Sequence, residues 1–341
     1  MLMLDFFFKS KDSTFNILDC LRMNFKKIIS VDWGTSNLRI RLVNADPFII
    51  IEEIASKMGV KSIYNQWLKK DKDREVYFLN FLHSQISLFN TKIDLSIPIV
   101  ISGMASSSIG LRELPYVKLP FDTNGKSLYV ETLFLKKKFN PIYLISGVKS
   151  KSDVIRGEEV QIVGLLSGYK TNVETTVYIF PGSHSKHIVC ENDFVTNFKT
   201  YMTGEVFEVI SNHSILKESL VPGILTKIEL SSFNEGVRDS NKTSSILNTL
   251  FKVRTNSLFK KKTKIENFYY LSGLLIGEEL KYLLIFPFNK LQLCAAGNLF
   301  ELYNQAIKIL GLSLKTEFVS KDIVDYSVIK GQLQILKQFD K

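Results

Sequence analysis

The sequence contains little cysteine: three residues in 341, at Cys20, Cys190 and Cys294. They are far apart, odd in number and form no CxxC pair. This pattern argues against a disulfide framework and favours a reducing cytoplasm. Cys190 and Cys294 fall in predicted strands, where we expect them to act as small hydrophobic residues.

Long hydrophobic runs are also missing. No apolar stretch reaches the roughly 18 to 20 residues that cross a bilayer. The opening MLMLDFFFKSKD has only a short apolar run beside Asp5, which argues against a secretory signal. We interpret residues 1–22 as an extension outside the fold, with Met23 a candidate start just before the first strong strand.

The common nucleotide-binding motifs are absent. There is no G-x-x-x-x-G-K-[ST], no GxGxxG and no protein-kinase signature. The net charge is +10, but the lysines are scattered through loops and no aromatic residues interleave with a basic patch, so we rank nucleic-acid binding last. His184, His187 and Cys190 form H-x2-H-x2-C, but strand alternation would place them on both faces, and we expect no zinc site.

What is present is a repeated order of strands and helices. A chain of this length is expected to form two domains. Strands are predicted at 26–32, LRIRLVN, FIIIEEIAS, from residue 97, SLYVETLFL and PIYLISG, with helices at 64–90 and 153–168. A second round begins at TTVYIFPGSHSKHIVCEN, continues as a strand over 194–201, and is mainly helical from 203 to 285. The last part of the chain contains a late strand, LQLCAAG, then a helix, NLFELYNQAIKIL, a strand, KTEFVS, and a closing helix.

Two short turns occupy equivalent places in these rounds. VDWGTSNLR and IFPGSHSKH each put a glycine and small hydroxyl residues between two strands, with Gly34 opposite Gly182 and Thr35 opposite Ser183. Successive backbone N–H groups in such turns form anion sites, and two turns facing a cleft could hold a polyphosphate. Asp32 is placed to hold a hydrated magnesium ion, or to cap the turn.

The motifs in order resemble the 2-dehydro-3-deoxygalactonokinase family. The matching stretches are VDWGTSNLR, SGMASSSIGLRELPYVKLP, IRGEEVQIVG, FPGSHSKHI, FKTYMTGEVFEVISNHS, FNEGVR, LFKVR, YLSGLLIGEEL and AGNLFELYNQAI, which together extend from about residue 26 to 332. The resemblance implies transfer of the ATP γ-phosphate to the 6-hydroxyl of 2-dehydro-3-deoxy-D-galactonate, with ATP and Mg²⁺ as cofactors.

The resemblance also implies an α/β fold of two actin-like (ribonuclease H-like) domains with a cleft between them. We expect the first domain at 23–150 and the second at 151–341, with the last helix able to pack back on the first. The expected partner is a small sugar acid, with neither nucleic acid nor membrane, and a homodimer stays open.

Phosphoryl transfer requires positioning and neutralisation of charge, and these requirements guide the residue assignments. Asp32 is assigned to magnesium. The residues assigned to ATP are Gly34, Thr35, Ser36, Asn37, Gly182, Ser183, His184, Lys186, Thr203, Gly204, Gly273 and Gly297. For Gly273 close helix packing is an equal alternative. The residues assigned to the substrate are Arg39, Ser106, Arg112, Glu113 and Arg156, among which an arginine should meet the substrate carboxylate.

A carboxylate must accept the proton of the sugar hydroxyl. IRGEEV offers Glu158 and Glu159 at the start of a helix, and we choose Glu158 over Asp153. The alternative is that these acids only complement the helix dipole. The family more often has GSTN at 34–37 and Trp at the position of His187. Two other functions stay open: a kinase of another keto-deoxy sugar acid, and a nucleotide-binding regulator without catalysis.

Overall fold

A computed structural model describes residues 25–133, 140–167, 174–242 and 245–337. The predicted extension at 1–22 and the candidate start at Met23 lie outside the described residues. No helix among the residues described is long and apolar enough to cross a membrane.

The first half of the chain forms a six-stranded sheet. Its strands in sequence are β1 (Lys27–Trp33), β2 (Leu38–Asn44), β3 (Ile49–Ser56), β4 (Ile99–Gly103), β7 (Val130–Leu133) and β8 (Ile142–Ile145). Their order across the sheet is β3-β2-β1-β4-β8-β7. β2 is antiparallel to both β1 and β3, whereas β1, β4 and β8 run parallel. β1 and β4 are almost wholly buried, as expected for the centre of a covered sheet.

The second half repeats this arrangement. Its sheet contains β6 (Phe121–Asp122), β11 (Thr176–Phe180), β12 (Ser185–Glu191), β13 (Phe194–Tyr201), β14 (Lys290–Leu293) and β15 (Thr316–Phe318), in the order β15-β14-β11-β12-β13-β6. Five strands correspond in order and direction: β12 is antiparallel to β11 and β13, and β11, β14 and β15 are parallel. The sixth strand differs, because β7 pairs with β8 whereas β6 pairs with β13 at the opposite edge. The predicted duplicated actin-like fold is therefore confirmed. A small sheet of β5 (Val117–Lys118), β9 (Val148–Lys149) and β10 (Val154–Ile155) lies apart from both.

The described residues form ten α-helices. They are α1 (Val60–Trp67), α2 (Arg74–Ile86), α3 (Glu158–Leu166), α4 (Thr203–His213), α5 (Lys227–Lys242), α6 (Ile246–Leu250), α7 (Lys252–Leu258), α8 (Lys264–Leu280), α9 (Gly297–Ile309) and α10 (Lys321–Leu336). α1 and α2 cover the outer face of the first sheet, while α5, α8 and α9 cover the outer face of the second. The inner faces of both sheets share one hydrophobic core with α3 and α10.

α3 and α10 cross at two glycines. A Cβ added to Gly164 would lie 1.7 Å from the Ser327 carbonyl oxygen, and one added to Gly331 would lie 2.0 Å from the Val160 carbonyl oxygen. The backbones are therefore in direct contact, which only glycine permits. From α10, Gln332 reaches the first sheet, where its Nε2 donates to the Val31 carbonyl oxygen at 3.1 Å.

Two predicted helices differ from the structure. The helix expected at 64–90 is two helices, because Asp73 accepts a hydrogen bond from the Val76 amide at 3.0 Å and starts α2 anew. The helix expected from residue 153 begins only at Glu158, because Gly157 has φ 114° and cannot continue a helix upstream. Residues 154 and 155 form β10 instead.

Candidate functional site

The first turn, residues 34–37, links β1 to β2 and rests on the start of α1. Three of its carbonyl oxygens accept hydrogen bonds from the amides of residues 59–61, at 3.0 to 3.2 Å. A Cβ on Gly59 would lie 2.4 Å from the Thr35 carbonyl oxygen, so this docking requires glycine. In the described part of the chain, the amides of Thr35 and Ser36 have no hydrogen-bond partner. They are available to an anion.

The second turn, residues 181–184, links β11 to β12 and rests in the same way on the start of α4. The Glu205 amide donates to the Ser183 carbonyl oxygen at 3.0 Å. A Cβ on Gly204 would lie 2.7 Å from the Gly182 carbonyl oxygen. Gly182 itself borders open space, because a Cβ added there meets nothing within 4 Å. The two turns thus share a supporting glycine beneath and an open side above.

Asp32 is the penultimate residue of β1, opposite Arg39 of β2 and Ser102 of β4. Burial raises the pKa of Asp32, the positive charges of Arg39 and Arg41 oppose this, and the negative charge of Glu158 raises it further. Asp32 and Glu158 are therefore close enough to repel each other. A cavity of about 430 Å³ opens beside Asp32. It is lined by Asp32, Gly34, Asn37, Leu38, Arg39, Ala55, Ser56 and Lys57.

Glu158, the first residue of α3, connects this site to the second turn. Its Oε1 lies 3.3 Å from Lys186 Nζ on β12, and its Oε2 accepts from the Arg156 amide at 3.0 Å. Lys186 Nζ also donates to the His184 carbonyl oxygen in the second turn at 2.9 Å. A single carboxylate thus lies between Asp32 on one side and the second turn on the other.

The other candidate carboxylates are already engaged. Both oxygens of the fully buried Glu159 accept from the Gly157 amide at 2.8 Å. Burial, together with the charge of Glu158, raises the pKa of Glu159 to about 8. Asp153 accepts from the Thr200 amide at 2.6 Å and from its hydroxyl at 3.0 Å. Glu158 is the partly exposed member of the IRGEEV pair.

Arg156 is fixed against the GMASSSIG loop. Its Nη1 donates to Ser106 Oγ at 2.6 Å and to the Ser106 carbonyl oxygen. The guanidinium lies 4.2 Å from the centre of the Tyr116 ring, which is cation–π distance. Arg156 Nε is buried without a hydrogen-bond partner. The structure therefore brings Arg156 and Ser106 together next to Glu158.

Arg112 and Glu113 are placed differently. Arg112 holds Glu75 with two hydrogen bonds of 2.7 and 2.9 Å, and Glu131 with a third of 3.2 Å. Its charge is therefore already matched by two carboxylates. Glu113 next to it is exposed. Of the predicted arginines, Arg39 lies beside Asp32 and Arg156 beside Glu158.

A second cavity, of about 610 Å³, lies beside the second turn. Its volume is in the range typical of small-molecule sites, roughly 300 to 1,000 Å³. Its walls are mainly apolar side chains of α4, α8 and α9. The lining residues are Gly182, Thr203, Gly204, Phe207, Gly223, Ile224, Leu225, Phe268, Tyr269, Ser272, Leu275, Ile276, Asn298, Leu299, Glu301, Leu302 and Tyr303.

Three residues predicted to bind the nucleotide do not line this cavity. Gly273 does not line this cavity: a Cβ there would lie 2.1 Å from the Phe233 carbonyl oxygen, so it serves the contact of α8 with α5. Gly297 starts α9 with φ 60° and borders open space beside Asn298 of the cavity. The His184 side chain pairs with Glu205 at the start of α4.

Comparison with known proteins settles the family. The model of the 2-keto-3-deoxy-galactonokinase family matches residues 32–325. The chain belongs to this family. It is 27% identical over 296 residues to the 2-dehydro-3-deoxygalactonokinase of Escherichia coli (strain K12), covering 84% of this chain and 90% of that protein. A crystal structure of a candidate 2-dehydro-3-deoxygalactonokinase from Sinorhizobium meliloti superposes with a TM-score of 0.75 at 25% identity, over 91% of this chain and 96% of the other.

Membership of the 2-keto-3-deoxy-galactonokinase family confirms the predicted family and the predicted enzyme class, a kinase that acts on an alcohol group. Several residues of the site carry no distinguishing signal in the sequence. The apolar cavity walls, such as Phe207, Ile224 and Phe268, carry the same helical spacing as core residues. Lys57 was one of many scattered lysines. Glu279 was one acid of the GEEL pair, and only the fold shows that it is buried.

Proposed function

We propose that this protein transfers the γ-phosphoryl group of ATP to the 6-hydroxyl of 2-dehydro-3-deoxy-D-galactonate, with Mg²⁺ as cofactor. One observation carries the proposal: the carboxylate of Glu158 lies between two matching turns. The first turn has backbone amides without a partner, and the second has open space at Gly182. Glu158 contacts the second turn through Lys186. The family to which the chain belongs adds the reaction class and the substrate.

The residues present suit a nucleoside triphosphate. The 610 Å³ cavity offers an apolar site for the base, and Gly182 and Gly297 at its edge leave room for a ligand to approach the backbone. The second turn, with Thr203, Gly204 and Lys186, would hold the inner phosphates. The amides of residues 34–37 would hold the terminal phosphate. Bound MgATP supplies the phosphoryl group and neutralises part of its charge.

Asp32 suits a hydrated magnesium ion. A carboxylate at a strand end, next to the phosphate turn, is the usual single protein ligand of a metal that keeps most of its water. The raised pKa of Asp32, which follows from burial, shows that its negative charge lacks full compensation from Arg39 and Arg41. A cation at this position would supply that compensation.

Glu158 is the proposed proton acceptor for the sugar hydroxyl, since it is the partly exposed carboxylate that contacts the second turn through Lys186. Lys186 holds its side chain in place at 3.3 Å. Arg156, fixed by Ser106 and Tyr116, is the proposed partner of the substrate carboxylate, together with Arg39. Arg112 would act indirectly, by holding Glu75 and Glu131 beside the loop. Glu113 stays a candidate for the sugar hydroxyls.

A coupled assay of ADP release across a panel of sugar acids and free hexoses tests the proposal. We expect turnover with 2-dehydro-3-deoxy-D-galactonate well above that with glucose, and dependence on Mg²⁺. Faster turnover of another keto-deoxy sugar acid would overturn the proposed substrate, while the proposed phosphoryl transfer from ATP would stand. Nucleotide binding without ADP release for any acid would leave only a regulator, and would overturn the proposed function.

The proposal places the enzyme in the cytoplasm. Cys190 and Cys294 are both buried free thiols, which suits a reducing compartment.

A further inference from the structure

A buried carboxylate lies beneath the second turn. Glu279, near the end of α8, is 2% exposed. Among the carboxylates of the described residues, Glu279 and Glu159 are the two whose whole residue is almost inaccessible to solvent, whereas Asp32 is half-buried. Burying a charge without partners is costly, so a buried carboxylate requires several hydrogen-bond donors around it. Glu279 has an unusually complete set.

Four side chains donate to Glu279. Its Oε1 accepts from Ser185 Oγ at 2.6 Å and from His187 Nε2 at 2.8 Å. Its Oε2 accepts from Tyr303 OH at 2.7 Å and from Thr203 Oγ1. The donors belong to three elements, β12, α4 and α9. Glu279 on α8 therefore joins four elements in one small network.

The electrostatics of the network favour the ionised form of Glu279. Burial alone would raise its pKa, but the hydrogen bond and charge of His187, with the hydrogen bonds of Ser185 and Thr203, lower it below its ordinary value. His187 is in turn held between the rings of Tyr201 and Tyr282, at 4.8 and 5.5 Å between ring centres. The carboxylate is thus kept negative and in one orientation.

The donors occupy both ends of the second turn. Ser185 follows His184 directly, and Thr203 opens the helix whose Glu205 amide supports Ser183 from below. Thr203 and Tyr303 line the cavity that contains Gly182, whereas Glu279 and Ser185 do not. Glu279 therefore constrains the turn from behind without lining the cavity itself.

We propose that Glu279 is a positioning residue that fixes the second turn, through Ser185 and Thr203, in the geometry that receives the inner phosphates of the nucleotide. This inference rests on the proposed function, because it assumes that the turn binds phosphate. It predicts that Glu279, which does not line the apolar cavity, acts on the phosphate part of the ligand and not on the nucleoside part.

The test compares nucleotide binding by Glu279→Gln with that of the native protein, using ATP, ADP and adenosine without sugar acid. Glutamine keeps the size but removes the charge, and it cannot accept from all four donors. Loss of charge-assisted hydrogen bonds typically weakens an interaction by about tenfold or more. We expect the Kd of ATP and ADP to rise by about tenfold, with the Kd of adenosine unchanged.

Matched controls separate positioning from damage to the fold. Glu278→Gln changes the neighbouring acid, which pairs with Lys281 at 3.4 Å outside the network, and should leave all three Kd values unchanged. Ser185→Ala removes one donor to Glu279, 2.6 Å from its Oε1, and lies outside the cavity lining, so it should weaken ATP binding by a smaller factor. It also provides the test if Glu279→Gln does not fold.

The outcomes are distinct. If Glu279→Gln or Ser185→Ala weakens adenosine and ATP binding equally, the network is only structural and the inference is overturned. If both variants bind ATP as the native protein does, the inference is also overturned, while the proposed function stands. If the native protein binds no nucleotide at all, the proposed function itself fails.

Discussion

The crossing of α3 and α10 gives a stability prediction that opposes the usual rule for helices. Replacing a helical glycine by alanine normally stabilises a protein, by about 1 kcal/mol from helix propensity. At Gly164 the new Cβ would lie 1.7 Å from the Ser327 carbonyl oxygen, whereas ordinary contact begins at 3.4 Å. The two helices must therefore separate by about 1.7 Å, half of the ordinary contact distance.

The separation has two costs. Overpacking in a dense core typically costs about 1 to 3 kcal/mol. A shift of α10 would also break the hydrogen bonds from Gln332 Nε2 to the Val31 carbonyl oxygen and to Ser102 Oγ, at 3.1 and 3.0 Å. These are worth about 1 kcal/mol each. The sum exceeds the gain in propensity, so we expect Gly164→Ala to lower the free energy of unfolding by about 2 to 4 kcal/mol.

Urea unfolding followed by fluorescence measures this change. Gln161→Ala, on the same helix and partly exposed, is the control and should change the free energy of unfolding by less than about 0.5 kcal/mol. A Gly164→Ala protein as stable as the native one, or more stable, would refute the close crossing of α3 and α10.

Three further predictions concern the acids of the site. Asp32→Asn, nearly isosteric, should keep the fold but raise the Mg²⁺ concentration needed for half-maximal rate, and an unchanged magnesium titration would make Asp32 a turn residue only. Glu158→Gln should lower kcat by roughly 10²- to 10⁴-fold, with the Kd of ATP little altered, and retained kcat would place the base elsewhere. Burial raises the pKa of Glu159 from 4.5 to about 8 in the folded protein. As pH rises, the unfolded chain therefore loses this proton before the folded protein does. Stability should therefore fall between about pH 4.5 and 8, by up to about 1.4 kcal/mol per pH unit from this group. Urea unfolding at pH 5 and 7.5 should show a flatter profile for Glu159→Gln, and an equally steep profile would contradict the shift.

The overall fold was predictable because its pattern occurs twice. The two glycine turns follow buried strands, and equal spacing to the next strand marks them as equivalent. The structure shows the same order of five strands in both sheets and a helix docked on each turn, through Gly59 and Gly204. Helix ends were less predictable, since the break before Asp73 depends on one capping side chain.

The site was less predictable, because it depends on contacts between distant residues. The sequence shows Arg112 as a candidate for the substrate, but not that Glu75, 37 residues upstream, would take two of its hydrogen bonds. Gly273 could equally have contacted a ligand or a helix, and only the position of Phe233 decides for the helix. Glu279 has no local signal of burial, since its donors lie 24 to 94 residues away.

The contact between Gln332 and Val31 has a consequence for how the chain folds during synthesis. These residues are 301 positions apart, so nearly the whole chain must leave the ribosome before they can meet. Until then the inner face of the first sheet, which includes Ile28, Val43 and Val100, lacks the helix that completes its core. The first half should therefore emerge with an exposed apolar face and rely on chaperones until α10 has been synthesised.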